Sequence, residues 1–90
     1  MRFQIEQRHL TDQNGRPIPS SEVSLVSFHL FEAGDAEQAI RLFIHRDGAA
    51  LVGEILRFPG FQAVATVRKT NGVYTLQVGP TSQAMSAIVD

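Results

Sequence analysis

The chain has 90 residues, of which 43% are hydrophobic and 19% are charged, and its formal net charge is -1. This composition is typical of one small globular domain, and the near-neutral charge disfavours binding to nucleic acid or anionic membranes through overall charge. The absence of cysteine excludes disulfides, thiolate catalysis and cysteine-based zinc sites.

The sequence shows no targeting signal and no membrane-spanning segment. The N-terminal segment MRFQIEQRHL lacks the apolar core of a signal peptide, and no stretch reaches the ~20 apolar residues of a membrane span. If this sequence is the full natural chain rather than an excised domain, we expect a cytoplasmic protein that does not use a membrane. Residues 1–80 are predicted to form the domain, and residues 81–90 a tail or a short C-terminal helix.

Residues 2–9 are predicted to form the first strand, since Phe3 and Ile5 alternate with polar neighbours. Residues 11–22 form a polar connector that contains the Asn14-Gly15 turn signal. Ser20, Ser21 and Glu22 are interpreted as part of this loop rather than as a nucleophile and its base. Such a long loop is also a weak pointer to a ligand site.

Residues 23–31 are predicted to form a second strand with apolar side chains on both faces. One face is fully apolar, and we assign it to the helix; it consists of Val26, Phe28 and Leu30. The other face is assigned to the outside, and it consists of Val23, Leu25, Ser27, His29 and Phe31. Because both faces need cover, we expect this strand to be central in the sheet or to lie against a second layer.

Residues 34–48 carry the strongest helix signal in the chain. Asp35 is the predicted N-cap, Gln38 completes a capping box, and Gly48 is the predicted left-handed C-cap. Apolar residues recur with the spacing of a single buried stripe, namely Ala36, Ala39, Ile40, Phe43 and Ile44. A helix of about three turns is not stable alone, so we expect it to lie on a sheet.

Three further strands follow the helix. The first covers residues 50–57, with a bulge expected at Gly53, and a type II turn at Pro59-Gly60 leads into Phe61. Asn71-Gly72 predicts a two-residue type I′ loop between the last two strands. That loop sets three pairs across the hairpin: Thr70 with Val73, Val67 with Leu76, and Ala65 with Val78. The side chains from Phe61 to Val67 that share a face with Tyr74, Leu76 and Val78 are assigned to the helix side.

These elements together predict an α+β domain with two layers. One amphipathic helix packs on a mostly antiparallel sheet, in the order β-β-α-β-β-β, with a short C-terminal helix as an option. The pairing between the two halves of the sheet stays undetermined at this point.

Histidine is the main candidate for catalysis or metal binding. His9, His29 and His45 are separated by twenty and sixteen residues, unlike the close spacings that place two ligands on one face. We predict no metal site and no cofactor, and the sequence leans away from an enzyme. A histidine-dependent enzyme or metal protein using His29 or His9 is retained as a third hypothesis.

Surplus apolar surface is the feature that points to a function. An outer sheet face carrying apolar side chains would mark an interface, unless the long loop or the C-terminal segment covers it. The leading hypothesis is a non-catalytic interaction module, whose partner is a second copy or another protein, through Leu25, His29, Phe31 and Arg68. On this hypothesis Phe31→Glu gives a monomer without unfolding.

A local resemblance supplies the second hypothesis. The segment GVYTLQVGP, with DAEQAIRLF upstream, resembles parts of the SPOR family of peptidoglycan-binding domains. Tyr74, Leu76, Val78, Gly79 and Pro80 match its Y-x-V-x-V-G-P-like strand in type. The chain departs from that family by an extra strand between helix and motif and by lacking the final strand. The resemblance implies a small-ligand or glycan-binding module, with glycan strands lacking stem peptides as the ligand.

Overall fold

The computed structural model describes residues 1–18 and 26–81. Within these ranges the chain forms one helix, which lies on one face of a five-stranded sheet. The elements are β1 (Arg2–Thr11), β2 (Val26–Glu32), α1 (Ala36–Asp47), β3 (Ala50–Phe58), β4 (Gln62–Lys69) and β5 (Gly72–Pro80). The predicted α+β class, layer arrangement and element order are confirmed.

The sheet has the strand order β2-β1-β5-β4-β3, and every neighbouring pair is antiparallel. The first and last strands pair at its centre, which joins the two halves that the sequence left unconnected. β2 is an edge strand rather than a central one, and its second layer is α1. The helix therefore leads from one edge of the sheet to the other across a single face, and the opposite face carries no helix of the described residues.

The predicted caps define both ends of α1. The Asp35 side chain accepts a hydrogen bond from the Gln38 backbone N–H at 2.8 Å, and Gln38 Oε1 accepts from the Gly34 N–H. Gly48 has the left-handed backbone expected of a C-cap, with φ of 63°. Each cap satisfies backbone groups that the helix itself cannot, so the local sequence alone sets these boundaries.

The core lies between α1 and the inner face of the sheet. Its buried side chains come from all the elements that meet there except the two edge strands: Phe3, Ile5, Ala36, Ala39, Ile40, Phe43, Ala63, Ala65, Val67, Tyr74, Leu76 and Val78. Burying one large apolar side chain contributes roughly 1.5–3 kcal/mol. The predicted helix stripe is confirmed, with Ile44 packed at its border.

The β4–β5 hairpin forms, but its predicted register is wrong. Lys69 pairs with Gly72, and Val67 pairs with Tyr74 instead of Leu76. The shift preserves the predicted faces, because it changes the pairing by an even number of residues. Gly72 is needed for close packing rather than in the turn: a Cβ there would lie 1.9 Å from the Thr11 carbonyl oxygen.

The β3–β4 hairpin is also shifted, here by one residue. Phe58 pairs with Gln62, not with Phe61, which lies in the loop with φ of 59°. A one-residue shift reverses the faces, so Phe58 lies on the outer face and Phe61 leaves the helix side. The bulge expected at Gly53 is confirmed by the irregular pairing between Val52 and Leu56, and Glu54 is exposed as expected.

Several predictions lie outside the described residues. They concern Ser20, Ser21, Glu22, the start of the second strand at residues 23–25, and the tail from residue 82 onwards. The first part of the long loop is described: Asp12 Oδ1 accepts from the backbone N–H groups of Asn14 at 2.8 Å and Arg16 at 3.0 Å, closing the predicted turn.

Candidate functional site

The outer face is the sheet surface opposite α1, and its residues alternate with the core residues along each strand. Two adjacent rows cross it from edge to edge, each defined by strand pairing. The Glu6 row consists of Phe28, Glu6, Gln77, Val64 and Leu56. The Arg8 row consists of Val26, Arg8, Thr75, Thr66 and Val52.

Apolar side chains lie at both flanks of the outer face. On β2, Phe28 and Leu30 are each 59% exposed; on β3, Leu56 and Phe58 are 55% and 50% exposed. Val52 extends the second flank. Large apolar groups so open to solvent on one face of a folded sheet are typical of a contact surface.

The centre of the outer face is polar and carries one ion pair. Arg8 Nη2 lies 3.1 Å from Glu6 Oε2, both on β1 and two residues apart. Amide and hydroxyl side chains surround this pair, provided by Gln4, Gln77, Thr75 and Thr66. The strand register also places the Arg2–Glu32 ion pair and Arg68 on the outer face, which therefore carries charges of both signs.

A shallow groove crosses the outer face at Gly79, with a volume of about 340 Å³. Its walls include Gln4, Gln62 and Phe58, while Gly79 contributes no side chain. A Cβ at Gly79 would meet only Gln62 Cγ, at an ordinary 3.8 Å. The fold therefore does not require glycine here, and the groove is open at this position because Gly79 has no side chain.

The four residues predicted as the interaction site are not brought together. Arg68 lies on the outer face, paired with Val73. His29 and Phe31 face α1 instead, where both pack edge-on against Phe43. Leu25 lies outside the described residues. The face assignment of the second strand was thus inverted.

The reason for the inversion is pairing with β1. Phe31 pairs with Phe3, and His29 pairs with Ile5, so both follow the buried face of β1. Phe28 and Leu30 pair with the polar outer residues Glu6 and Gln4. The pattern of β2 favoured the opposite assignment, because its fully apolar face carries Phe28 and Leu30. The register against β1 identifies these two as the exposed residues.

His29 occupies a hydrogen-bonded position beneath the end of α1. Its Nδ1 lies 3.0 Å from Arg46 Nη2, and its Nε2 lies 3.0 Å from Ser27 Oγ. A guanidinium only donates, so Nδ1 accepts, and the neutral ring carries its proton on Nε2 and donates it to Ser27. In this tautomer His29 cannot accept the hydroxyl proton of Ser27, and the pair is not arranged as base and nucleophile.

Burial, followed by the nearby Arg46 charge, lowers the pKa of His29 from its ordinary value. The neutral ring is therefore the stable form in the folded protein. Gln7 Nε2 also donates to Ser27 Oγ, at 3.0 Å, while Gln7 Oε1 is buried without a partner among the described residues. This cluster holds the edge strand to the core.

Two cations converge on Asp47 at the end of α1. Lys69 Nζ and Arg46 Nε each lie 2.7 Å from a carboxylate oxygen of Asp47. The hydrogen bond from Arg46, reinforced by that from Lys69, lowers the pKa of Asp47 to about 2. Lys69 Nζ also lies 4.9 Å from the ring centroids of Phe43 and Tyr74, so the network closes one end of the core.

The three histidines lie apart. His9 stacks on Tyr74 with ring centroids 4.1 Å apart, His29 lies under α1, and His45 is exposed on the helix. Across residues 1–18 and 26–81, no group of three His, Cys, Asp or Glu side chains is placed to hold a metal ion.

Comparison of the chain with protein-family models, with curated proteins and with solved structures finds no match. The helix of the described residues is too short to cross a membrane. Functional inference therefore begins from the outer face and its chemistry.

Proposed function

We propose that the protein is a non-catalytic assembly module that forms a homodimer through the outer face of its sheet. The observation that carries this proposal is the exposure of Phe28, Leu30, Leu56 and Phe58 on one continuous face. Burying such side chains against a second copy would remove apolar surface from water at both flanks.

The size of the outer face suits a dimer. Five strands about 4.8 Å apart, each about eight residues long at about 3.3 Å per residue, give a flat area on the order of 600 Å². Side-chain relief raises the accessible area above this value, and a standard interface buries roughly 800 Å² per partner. A second copy also fits by charge, because the face carries both signs and the chain is nearly neutral.

The test is the solution mass of the full chain, measured by light scattering over a hundredfold range of concentration. We expect a dimer that Phe28→Glu converts to a monomer with an unchanged circular dichroism spectrum. Leu42→Glu is the matched control, since Leu42 is also apolar and exposed but lies on the helix. This variant should remain dimeric.

Two results would overturn the proposal. One is a wild-type protein that stays monomeric at every concentration. The other is a Phe28→Glu variant that dimerises as well as the wild type. A monomer that Phe28→Glu also destabilises would indicate that the chain covers its own outer face.

The groove at Gly79 favours a second candidate, the binding of a small ligand rich in hydroxyl groups. Gln4 and Gln62 offer amide donors and acceptors, and Phe58 offers an aromatic wall for the C–H face of a sugar ring. This candidate requires an open face and hence a monomer. Titration with soluble glycan fragments should then shift the backbone amide resonances around Gly79; no change there at millimolar ligand would remove it.

A further inference from the structure

We infer that the two copies stack with β1 of one antiparallel to β1 of the other, so that Glu6 of each copy faces Arg8 of its partner. This arrangement rests on the proposed homodimer and specifies how the outer faces meet. Its two-fold axis lies between the sheets, perpendicular to the strands, and passes between the Glu6 row and the Arg8 row.

The strand pairing supports this axis through the order of residues in the two rows. The two-fold rotation places the Glu6 row of one copy over the Arg8 row of the partner. Each residue then lies over the residue of the same strand in the partner's other row. The β2 flank then sets Phe28 over Val26, and the β3 flank sets Leu56 over Val52. Within these two rows, apolar groups meet apolar groups at both flanks.

The centre of the interface matches in the same way. Glu6 and Arg8 alternate on β1 and already form an ion pair 3.1 Å long within one copy. The rotation brings two such pairs together as a four-membered network with alternating charges. On β5, the strand next to β1, Gln77 of one copy lies over Thr75 of its partner, so an amide faces a hydroxyl group. Each contact thus occurs twice, with Glu6 of either copy facing Arg8 of the other, as an isologous interface requires.

A two-fold axis parallel to the strands is the main alternative for two stacked sheets. Running along β5, it would also place apolar flank on apolar flank, with Phe28 over Leu56. However, it would place the Glu6 carboxylate over Val64 of the partner, so that Glu6 keeps only Arg8 of its own copy as a counterion. The perpendicular axis adds a second opposite charge across the interface for each of these ions, and this electrostatic gain favours the perpendicular axis.

The test uses the single variants Glu6→Arg and Arg8→Glu in the full chain. Alone, the first places four arginines around the axis and the second places four glutamates. Since like charges facing each other disfavour association, each variant should weaken its homodimer by roughly a hundredfold. Mixed in equal amounts, the two should form a heterodimer near wild-type affinity, measured by native mass spectrometry and light scattering.

Glu37→Arg and Arg41→Glu provide the matched control. They break an ion pair of 3.0 Å on α1 and change the net charge of the chain by the same amounts. If oppositely charged chains simply attract one another, this pair will also prefer the heterodimer. We expect no preference, and each control variant alone should remain a homodimer.

The outcomes separate this inference from the proposed function. If the wild type is a dimer that Phe28→Glu dissociates, but the mixed Glu6→Arg and Arg8→Glu variants form no heterodimer, the stacking is wrong and the assembly role stands. If the wild type is a monomer, both are overturned. Preferential heterodimer formation by the outer-face pair alone supports both.

Discussion

Both faces of this sheet carry large apolar side chains, but the surroundings of those side chains are opposite. The inner face, under α1, carries Phe3, Ile5 and Leu76, which are fully buried. The outer face carries Phe28, Leu30, Leu56 and Phe58, which are half exposed or more. The comparison teaches that apolar residues in this chain fall into two sets. One set is buried and contributes to the stability of the fold, and the other set is exposed and is the set that we propose contacts a second copy.

Truncating one aromatic residue on each side tests this division most strongly. Phe43→Ala empties the centre of the core and should cost about 4 kcal/mol of unfolding free energy, since Phe43 is fully buried. Phe58→Ala on the outer face should cost under about 1 kcal/mol in the monomer. Urea denaturation at low protein concentration measures both. Equal losses would mean that Phe58 is covered in solution.

Should Phe43→Ala fail to fold, Phe43→Leu provides a milder measurement of the same site. It keeps most of the apolar volume and should still cost more than Phe58→Leu on the outer face. The sign of that difference decides the point, whatever the absolute stabilities are.

Two glycines on β5 sharpen the comparison next. Gly72→Ala forces a Cβ into the Thr11 carbonyl at a backbone φ of 140°, and should cost about 3 kcal/mol. Gly79→Ala meets only an ordinary contact and should be neutral, or stabilising by about 0.5 kcal/mol through the unfolded chain. Thermal unfolding of the two variants side by side measures the difference. A large loss at Gly79 would show that the groove is filled by another part of the chain.

Two phenylalanines on β2 test the corrected face assignment. Phe31→Glu places a carboxylate against Phe43 and removes a ring that the Arg46 guanidinium covers at 5.0 Å, so it should cost about 2 kcal/mol. Phe28→Glu should leave the stability of the monomer within about 0.5 kcal/mol. Chemical denaturation of both variants below the dimerisation range is the measurement. The reverse ranking would restore the face assignment expected from the strand pattern alone.

The smallest expected effect is a dependence of stability on pH from the inner face. The folded state lowers the pKa of His29 below its ordinary 6.5, so the unfolded chain takes up a proton first as pH falls. Stability should therefore decline below about pH 6.5. Arg46, Asp47 and Lys69 are the charged groups that act on this ring, and the Asp47 carboxylate, with its pKa lowered to about 2, stays ionised over this pH range.

His29→Asn removes this contribution and provides the control. The slope of unfolding free energy against pH between 5 and 7 should be shallower in the variant than in the wild type. An identical slope in both would mean that His29 gains its proton equally in the folded and unfolded chains.

How much could be predicted depended on the range of the interaction involved. Asp35, Gln38 and Gly48 act within a few residues of one another, and the helix ends where they indicate. The lengths of the turns were harder to predict, because turn residues and the close packing of neighbouring strands both influence them. Asn71-Gly72 predicted a glycine inside the turn, yet Gly72 on β5 is paired with Lys69, and a Cβ there would clash with the Thr11 carbonyl oxygen of β1.

The candidate site was predicted as a surface but not as a set of residues. Apolar residues in excess of the needs of one core indicated an exposed patch, and the structure places such a patch on the outer face. The identity of its residues depended on which side of β2 faces α1. The strand pattern assigned Phe28 to the helix side and Phe31 to the outside, and pairing with β1 reverses both assignments.

By itself, then, the sequence determined the elements, their order, the helix caps and the α+β class, since these follow from periodicity and from contacts a few residues apart. Tertiary structure decided the strand order, the registers and the residues of the outer face. The physical reason is that a one-residue change of register moves every side chain of a strand to the other face. The loop after Phe58 is one residue longer than the predicted two-residue turn, and this single residue places Phe58 on the outer face.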